Sequence, residues 1–214
     1  MGTQCDACTK ERLLDAGREV FAERGLQDAT VREICTKAGA NIAAVNYHFG
    51  GKEKLFMAVL ANFLQTAQKQ YPPDMGVTPG ATAPERLRAY IRSLLYRLAG
   101  SGDSVYDKLG HLFTSEMIEP SEHFAEIAET YIMPQHEILL GIVREILPPT
   151  TPERTIQLCA TCVIGPCVLF DHARNLIRAM RPDMALEALG VELVADFVLE
   201  FALAGIERMK SYQG

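Results

Sequence analysis

The segment from Gly39 to Phe56, GANIAAVNYHFGGKEKLF, combines side chains that suit contact with a nucleic acid. Three small residues would let a helix approach the major groove closely, and an alanine methyl group can meet a thymine methyl group there. They are Ala40, Ala43 and Ala44. Asn46 could form a bidentate contact with adenine, and the Tyr47 hydroxyl could bind a phosphate, which positions a protein without reading sequence. The segment therefore predicts a DNA-reading helix.

The residues that flank this helix suit binding of the phosphate backbone. Asn41 is a good N-cap residue, and the N–H groups exposed at the start of a helix bind anions. Lys52 would supply a cation at the start of the next helix. Val45 and Phe49 lie four residues apart, so we expect them to face inward and anchor the reading helix to a core.

Signals upstream predict the two helices that such a reading helix requires. An apolar stripe at helical spacing precedes Gly25, which we expect to close the first helix as a left-handed cap. Thr30 and Glu33 have the spacing of a capping box, which starts a short helix. Gly39 then provides the turn to a third helix of roughly seven residues, which begins after Asn41 and ends before Gly50 and Gly51. Two short helices joined by a glycine turn are the helix-turn-helix arrangement, whose second helix enters the major groove.

Residues 21–56, FAERGLQDATVREICTKAGANIAAVNYHFGGKEKLF, resemble the N-terminal domain of the tetracycline-repressor (TetR) family. The family pattern runs F-x-x-x-G, T-[VT]-x-x-I, A-G, an aromatic and histidine cluster that ends in F, and K-[ED]-x-L-[FL]. The matching residues are Phe21, Gly25, Thr30, Ile34, Ala38, Gly39, Tyr47, His48, Phe49, Lys52, Glu53, Leu55 and Phe56. From the residues and the resemblance together, the expected DNA contacts are Thr30, Ala40, Asn41, Ile42, Ala43, Ala44, Asn46, Tyr47, His48 and Lys52.

The chain departs from the common family pattern at two positions. The family usually has tyrosine at the position of Asn46, and serine or threonine near Asn41. Asn46 could contact a base, or it could bind another residue within the N-terminal helices, and both roles are open. The forms VNYHFGGKE and FTSEMIEPS, the latter at residues 113–121, resemble the CecR-like branch of the family.

The charge distribution restricts how the chain could bind DNA. The net charge is −6, and residues 1–60 hold eight Lys and Arg against eight Asp and Glu, so the rest of the chain carries the deficit. Because affinity for phosphates scales with the number of cationic contacts, we expect a small local footprint with the acidic bulk facing away. The sequence has no run of about 18 apolar residues and no signal-peptide pattern, so we expect a cytoplasmic protein without a membrane span.

Helical periodicity continues through the rest of the chain. A long helix is predicted from Lys52 to about Gln70, followed by a linker, YPPDMGVTPGATAP, at 71–84. Further helical patterns cover about 85–99, 104–118, 121–147, 153–179 and 184–211. Pro134 and Pro166 should kink two of these or mark helix starts. We predict an all-α protein with a DNA-binding domain at 1–56, a linking helix at 52–70 and a larger helical bundle at 72–214.

The resemblance implies that the bundle binds an effector and dimerises through its last two helices. Two of its segments, LCATCVIGPCVLF and VELVADFVLEFALAGI, are nearly apolar all round, which favours burial against a second copy. The alternative is that they are core helices of a monomer. Polar groups within the apolar helices are candidates for the effector site, and Glu116 and Arg174 are the strongest because charged groups are seldom buried without a partner. The other candidates are His111, Phe113, Met117, Tyr131 and Phe170, with His136, Asp171 and His172 as further polar groups.

The cysteines support a second hypothesis. Cys5 and Cys8 form C-x-x-C, and Cys159, Cys162 and Cys167 lie in CATCVIGPC, so the chain could be a thiol- or metal-sensing regulator. The alternative is that they are core or incidental thiols, since buried free cysteine behaves as a small hydrophobe. We favour the latter and predict no metal site and no cofactor. The sequence holds no motif for a nucleophile elbow, a phosphate loop, H-E-x-x-H or paired carboxylates, so we do not expect an enzyme.

These observations predict a ligand-responsive transcriptional regulator. We expect a repressor whose dimer holds two reading helices at the spacing of a palindromic operator in double-stranded DNA. A small molecule that favours another domain arrangement would release it, with the helix that begins at Lys52 as transmitter.

Overall fold

The helical periodicity of the sequence is realised as a series of helices, which are joined by turns and by a loop at residues 71–82. The computed structural model describes residues 3–99 and 104–211, with side chains from residue 7 onward. Within these ranges no strand is present, and the predicted all-α fold is confirmed. The α-helices are α1 (Thr3–Asp28), α2 (Val31–Ala38), α3 (Ile42–Phe49), α4 (Lys52–Gln70), α5 (Ala83–Ala99), α6 (Ser104–Ile118), α7 (Phe124–Ile127), α8 (Met133–Ile146), α9 (Glu153–His172), α10 (Arg174–Met180), α11 (Leu186–Leu189) and α12 (Val191–Met209).

Two compact units divide the described residues. The first contains residues up to Thr66 and the segment from 104 to Tyr131, and the second contains Ala67–Ala99 and residues 132–211. In the first unit α6 packs against α1, so packing assigns α6 to the N-terminal unit rather than to the bundle. The division into a DNA-binding domain at 1–56 and an effector domain at 72–214 concerns activity and stays a prediction.

The core of the first unit joins α1 to α4 around the two short helices. Its fully buried large side chains include Leu13, Phe21, Ile34, Leu55 and Phe56. Gly17 of α1 lies close to α4, since a Cβ atom there would be 3.4 Å from Cγ2 of Val59, which is van der Waals contact. The core therefore fixes the helices that precede and follow the helix-turn-helix.

Gly25 does not close α1 as a left-handed cap, so that prediction is wrong in its geometry. Its φ is 72° but its ψ is −177°, and helical hydrogen bonding resumes beyond it to Asp28. A left-handed cap requires ψ near +30° to +60°, whereas glycine also reaches the extended region at positive φ because it lacks a Cβ. The chain therefore kinks at Gly25 and forms one more helical turn before α2.

The second unit is built on four long helices, α5, α8, α9 and α12, which pack against one another. Its core contains Leu87, Ile91, Leu139, Leu140 and Val163, among others. Pro134 lies in the first turn of α8, which it starts, and Pro166 lies inside α9. The predicted run at 121–147 is accordingly divided into α7, a π-helical turn at Ala128–Ile132 and α8.

The last two predicted helices are also divided. The run at 153–179 forms α9 and α10, which meet at Ala173. The run at 184–211 forms a 3₁₀ turn at Pro182–Met184, then α11 and α12, and Gly190 separates these helices with a φ of 82°. Helix α9 has the length and composition of a membrane span, with only 28% of its apolar window buried. Core helices of globular proteins share that composition, and Ile156, Ala160 and Val163 of α9 pack in the C-terminal core.

Candidate nucleic-acid interface

The two short helices are set by local signals that the sequence displays. Thr30 caps α2, with its Oγ1 accepting from the Glu33 amide at 3.2 Å and the Glu33 carboxylate accepting from the Thr30 amide at 3.2 Å. This capping box holds the pKa of Glu33 below its ordinary value, chiefly through the hydrogen bond from Thr30. Gly39 ends α2 in the left-handed region, with φ 59° and ψ 40°. The predicted cap and turn are therefore present at these positions.

Helix α3 is anchored from one side and open on the other. Val45 is fully buried in the N-terminal core, and Phe49 packs against the same core while half-buried. The exposed side chains of α3 are Ile42, Ala43, Asn46 and Tyr47. Tyr47 is 75% exposed, although large aromatic side chains are usually more buried than this. Four of the contact residues predicted from the sequence thus lie on a solvent-exposed face of an anchored helix.

The three alanines differ in exposure. Ala43 is exposed, whereas Ala40 and Ala44 are half-buried and pack against the N-terminal core. Asn41 caps α3, and its Oδ1 accepts from the Ala43 amide at 3.0 Å. The Asn41 side-chain nitrogen carries two further donors that could meet a phosphate. The first turn of α3 therefore combines a satisfied cap with donors suited to an anion.

The aromatic cluster of α3 forms a short chain of ring contacts. The Tyr47 and His48 rings meet edge to face with centroids 4.9 Å apart, and those of His48 and Phe49 lie 6.4 Å apart. The Lys10 ammonium lies 5.8 Å from the centroid of the Phe49 ring, which is within the range of a cation–π contact. These contacts orient His48 between an exposed ring and a core ring.

Lys52 bonds to the protein backbone. Its Nζ donates to the carbonyl oxygens of Leu26 at 2.8 Å, Ala29 at 3.1 Å and Gln27 at 3.3 Å. The residue is half-buried at the first position of α4. Its phosphate contact stays a prediction.

Other cations near the two short helices are in ion pairs or exposed. Arg24 pairs with Glu33 at 3.1 Å, and Lys37 pairs with Glu19. Arg32 on α2 and Lys54 on α4 are exposed and were not among the contacts predicted from the sequence. Both lie in the first turn of a helix that flanks α3 along the chain, and this position could have indicated them.

Five of the seven effector candidates belong to the N-terminal unit. His111 and Met117 are exposed on α6, and the Phe113 ring lies 6.0 Å from that of Phe124. Tyr131 packs partly buried against the N-terminal core.

Glu116 is buried, and its carboxylate accepts from the Ser121 amide at 3.0 Å and from the Ser121 hydroxyl at 2.7 Å. Glu116 therefore fixes the turn that follows α6.

The two remaining candidates, Phe170 and Arg174, lie in the C-terminal unit. Arg174 donates to the Asp171 carboxylate at 2.6 Å and to the Leu98 carbonyl at 2.8 Å, in a largely buried pair. Phe170 lines an open apolar groove of about 350 Å³ at the surface, and most of the side chains that line it are exposed. The other lining residues are Leu169, Leu176, Ile177, Met180, Arg181 and Met184.

The cysteines do not form a metal site within the described side chains. No group of three or more His, Cys, Asp or Glu residues among them is placed to hold a metal ion. Cys8 and Cys162 are exposed, whereas Cys159 and Cys167 are buried, and the Cys5 side chain lies outside the described residues. Burial raises the pKa of Cys159 and raises that of Cys167 to about 12. Because the thiolate is the reactive form, these two buried thiols are poor candidates for sensing.

An apolar surface runs along the last two long helices. On α12, Leu193, Phe197 and Phe201 are exposed, the two phenylalanines by 73% and 74%. On α9, Leu158 and Leu169 are exposed, with Cys162 and Gly165 between them on the exposed side. Large exposed apolar patches mark interaction sites in globular proteins.

Comparison with known proteins identifies both parts of the chain. Residues 13–59 match the family model described as "Bacterial regulatory proteins, tetR family". Residues 83–206 match the model of the C-terminal domain of the HTH-type transcriptional dual regulator CecR. CecR of Shigella flexneri is 32% identical over 210 residues, which is 93% of each chain.

Two further comparisons extend the match. The HTH-type transcriptional regulator SrpR of Pseudomonas putida is 41% identical over 69 residues, so the matched part spans only 32% of each chain. The crystal structure of the transcriptional regulator FadR from Bacillus subtilis in complex with stearoyl-CoA has a TM-score of 0.65 at 21% identity. That likeness covers 91% of this chain and 97% of FadR and concerns the fold.

Proposed function

This chain belongs to the TetR family of bacterial transcriptional regulators, and its C-terminal domain belongs to the CecR type. We propose that it is a ligand-responsive repressor. In this proposal a homodimer binds a palindromic operator in double-stranded DNA, and a small molecule releases it. The protein acts in the cytoplasm and catalyses no reaction. The observation that carries the proposal is the anchored helix α3, whose exposed face contains Ile42, Ala43, Asn46 and Tyr47.

Each side chain of the exposed face has a separate role in binding. Asn46 makes a bidentate contact with an adenine edge, and Ala43 meets a thymine methyl group. The Tyr47 hydroxyl and the first turn of α3 at Asn41 bind phosphates, which set the position of the helix. Thr30, Ala40, Ile42, Ala44 and His48 complete the contact surface.

Few cations surround this face, so binding depends on a small number of phosphate contacts. The exposed residues Arg32 and Lys54 join the predicted set as phosphate contacts. With a net charge of −6 the chain attracts DNA weakly beyond this footprint. We therefore propose that specific contacts by α3 supply most of the discrimination between sites.

The apolar surface of α9 and α12 is the dimer interface in this proposal. Phe197 and Phe201 would become buried against the partner copy, together with Leu158 of α9. Burial of large aromatic side chains dominates the energetics of such interfaces. A two-fold dimer presents two copies of α3 to half-sites about one helical turn apart, or a multiple of it.

The effector binds in the C-terminal unit and acts by differential affinity. Phe170 and the open apolar groove that it lines, with Arg174 as a charged group on the adjoining helix, are the preferred site. FadR, which shares the fold and was crystallised with stearoyl-CoA, supports a small-molecule role for this architecture. His111, Phe113, Glu116, Met117 and Tyr131 rank lower because they belong to the N-terminal unit. The effector can shift DNA affinity only by its preference for one arrangement over the other, and α4 is the proposed transmitter.

Selection of binding sites from a random DNA pool with purified protein tests the proposal. An enriched inverted repeat is the expected result, and it would provide a probe for effector screening. If no sequence is enriched at low salt from protein shown to be free of bound small molecules, the proposed function is wrong.

A further inference from the structure

Lys52 is placed in a way that its predicted role at a phosphate does not explain. A lysine ammonium group has three N–H donors and no acceptor. Here it lies within hydrogen-bond distance of three carbonyl oxygens, those of Leu26, Gln27 and Ala29, at 2.8, 3.3 and 3.1 Å. All three donors therefore have protein partners, and a phosphate could be bound only by giving up at least one of them.

The three carbonyl groups belong to a place where the backbone needs donors. Leu26 and Gln27 lie in the turn of α1 that follows the kink at Gly25, and Ala29 leads directly into the N-cap residue Thr30. The last carbonyl groups of a helix have no partner within the helix and carry its negative dipole end. A cation in contact with them stabilises this end of α1, and a hydrogen bond to a charged group is stronger than a neutral one.

The position of Lys52 in the chain gives this contact a further consequence. Lys52 is the first residue of α4, directly after Gly50 and Gly51, which both have positive φ values of 81° and 141°. The contact therefore joins the end of the helix-turn-helix to its beginning at Ala29. Both α2 and α3 lie between these two points. Two consecutive glycines give the backbone freedom at the exit from α3, and the Lys52 contact removes that freedom.

We infer that Lys52 is a positioning residue, which fixes the orientation of α3 by closing the helix-turn-helix on itself, and that it does not bind a DNA phosphate. This inference rests on the proposed function for its effect on DNA. The contact itself is a property of the folded protein alone. Loss of the ammonium group then lowers DNA affinity because α3 is no longer held, without removing a counterion-releasing contact.

Substitution of Lys52 separates the two roles through the salt dependence of binding. The variants are Lys52→Met, Lys52→Arg and, as a matched control, Lys54→Met, which removes an exposed lysine two residues further along α4. Binding to the selected operator is measured from low to high salt, at a temperature well below the unfolding midpoint of every variant. Each phosphate contact contributes about 0.9 to the slope of log affinity against log salt.

We expect Lys52→Met to lower affinity about tenfold, to leave the slope unchanged and to lower the unfolding midpoint by about 4 °C. Lys52→Arg, which keeps a cation with several donors, should restore most of the affinity. Lys54→Met, which removes a proposed phosphate contact, should lower the slope by about 0.9 and leave the unfolding midpoint unchanged. A slope that falls by about 0.9 in Lys52→Met overturns the inference, and so does an affinity equal to that of the unsubstituted protein.

A measurement on the unsubstituted protein covers the case in which Lys52→Met does not fold. Hydrogen exchange of the lysine ammonium groups, followed by NMR, should show slowed exchange at Lys52 relative to Lys54 in the free protein. Equal exchange at the two lysines in free protein overturns the inference. If the protein selects no DNA, the proposed function fails, whereas the exchange and unfolding results still decide whether the contact exists.

Discussion

The rings of Phe21 and Phe56 meet edge to face, with their centroids 5.1 Å apart and their planes at 72°. Phe21 belongs to α1 and Phe56 to α4, so the contact joins the helix before the helix-turn-helix to the helix after it. Both side chains are almost fully buried. The orientation of α3 therefore depends on this contact as well as on its own anchor, Val45.

Replacement of Phe56 by alanine should lower the free energy of unfolding by about 3–5 kcal/mol, because a large buried side chain leaves a cavity. Denaturant unfolding measures this change. Tyr47→Ala is the matched control, since its ring is 75% exposed and its loss should cost less than about 0.5 kcal/mol. Similar losses in the two variants would contradict the assignment of Phe56 to the core.

Two substitutions of Asn41 should separate helix capping from DNA binding. Asn41→Ala removes the acceptor for the Ala43 amide and should cost about 1 kcal/mol of stability. Asn41→Asp keeps the cap, so stability should be retained, but its negative charge should repel phosphate and weaken DNA binding. Thermal unfolding and operator titration of both variants test this pair. Unchanged DNA affinity in Asn41→Asp would show that the first turn of α3 lies away from the phosphates.

Asn46→Ala should change which sequences are bound, because the loss of a bidentate base contact costs about 1–3 kcal/mol of discrimination at one base pair. Repeating the site selection with this variant measures the effect, and relaxed preference at one position per half-site is expected. A uniform loss of affinity for all sequences would instead favour the alternative role, in which Asn46 contacts another residue within the N-terminal helices.

Phe197→Glu combined with Phe201→Glu should convert the dimer to monomers, because the charges would be buried without partners in the interface. Analytical ultracentrifugation measures the molecular mass, and operator affinity should fall with it. Ile138→Glu, at an exposed apolar position of α8, is the control and should leave the assembly unchanged. A double variant that remains dimeric would place the interface elsewhere.

The stability of the protein should fall at alkaline pH. Burial raises the pKa of Cys167 to about 12 from an ordinary 9.0, so the unfolded chain ionises this thiol while the folded protein keeps it neutral. This contribution is complete below about pH 9 and is lost as the pH rises toward 12, at about 1.4 kcal/mol per pH unit. Tyr90, whose pKa burial raises to about 12, acts in the same direction at higher pH.

Denaturant unfolding between pH 8 and pH 11 checks this expectation. Cys167→Ala should reduce the pH dependence, whereas Cys8→Ala, which removes an exposed thiol, should not. An equal pH dependence in the unsubstituted protein and Cys167→Ala would mean that another group is responsible.

The helix-turn-helix could be predicted from the sequence because its signals are local. The capping box at Thr30 and the glycine after α2 act over three to five residues, so their structures follow from residue types alone. The bounds of α4, Lys52–Gln70, also agree with the prediction. At Gly25 the same reasoning was insufficient, because glycine permits more than one conformation at positive φ and packing decides between them.

Partners in space could not be predicted in the same way. Lys52 contacts carbonyl groups more than twenty residues away, and nothing in the K-E-K-L pattern distinguishes that contact from a phosphate contact. Glu116 is similar, since its burial was expected but its partner, Ser121, depends on the turn after α6. Helix α12 is almost uniformly apolar, so its sequence does not indicate which side is exposed. The exposed face is the side that does not pack against α5 and α9.

The most direct test of the account is the affinity for a selected inverted repeat compared with the same duplex in which one half-site is scrambled. Two protomers that each place α3 in a major groove should bind the intact repeat at least about 10³-fold more tightly at physiological salt. Equal affinity for the two duplexes would contradict paired reading of the operator by α3.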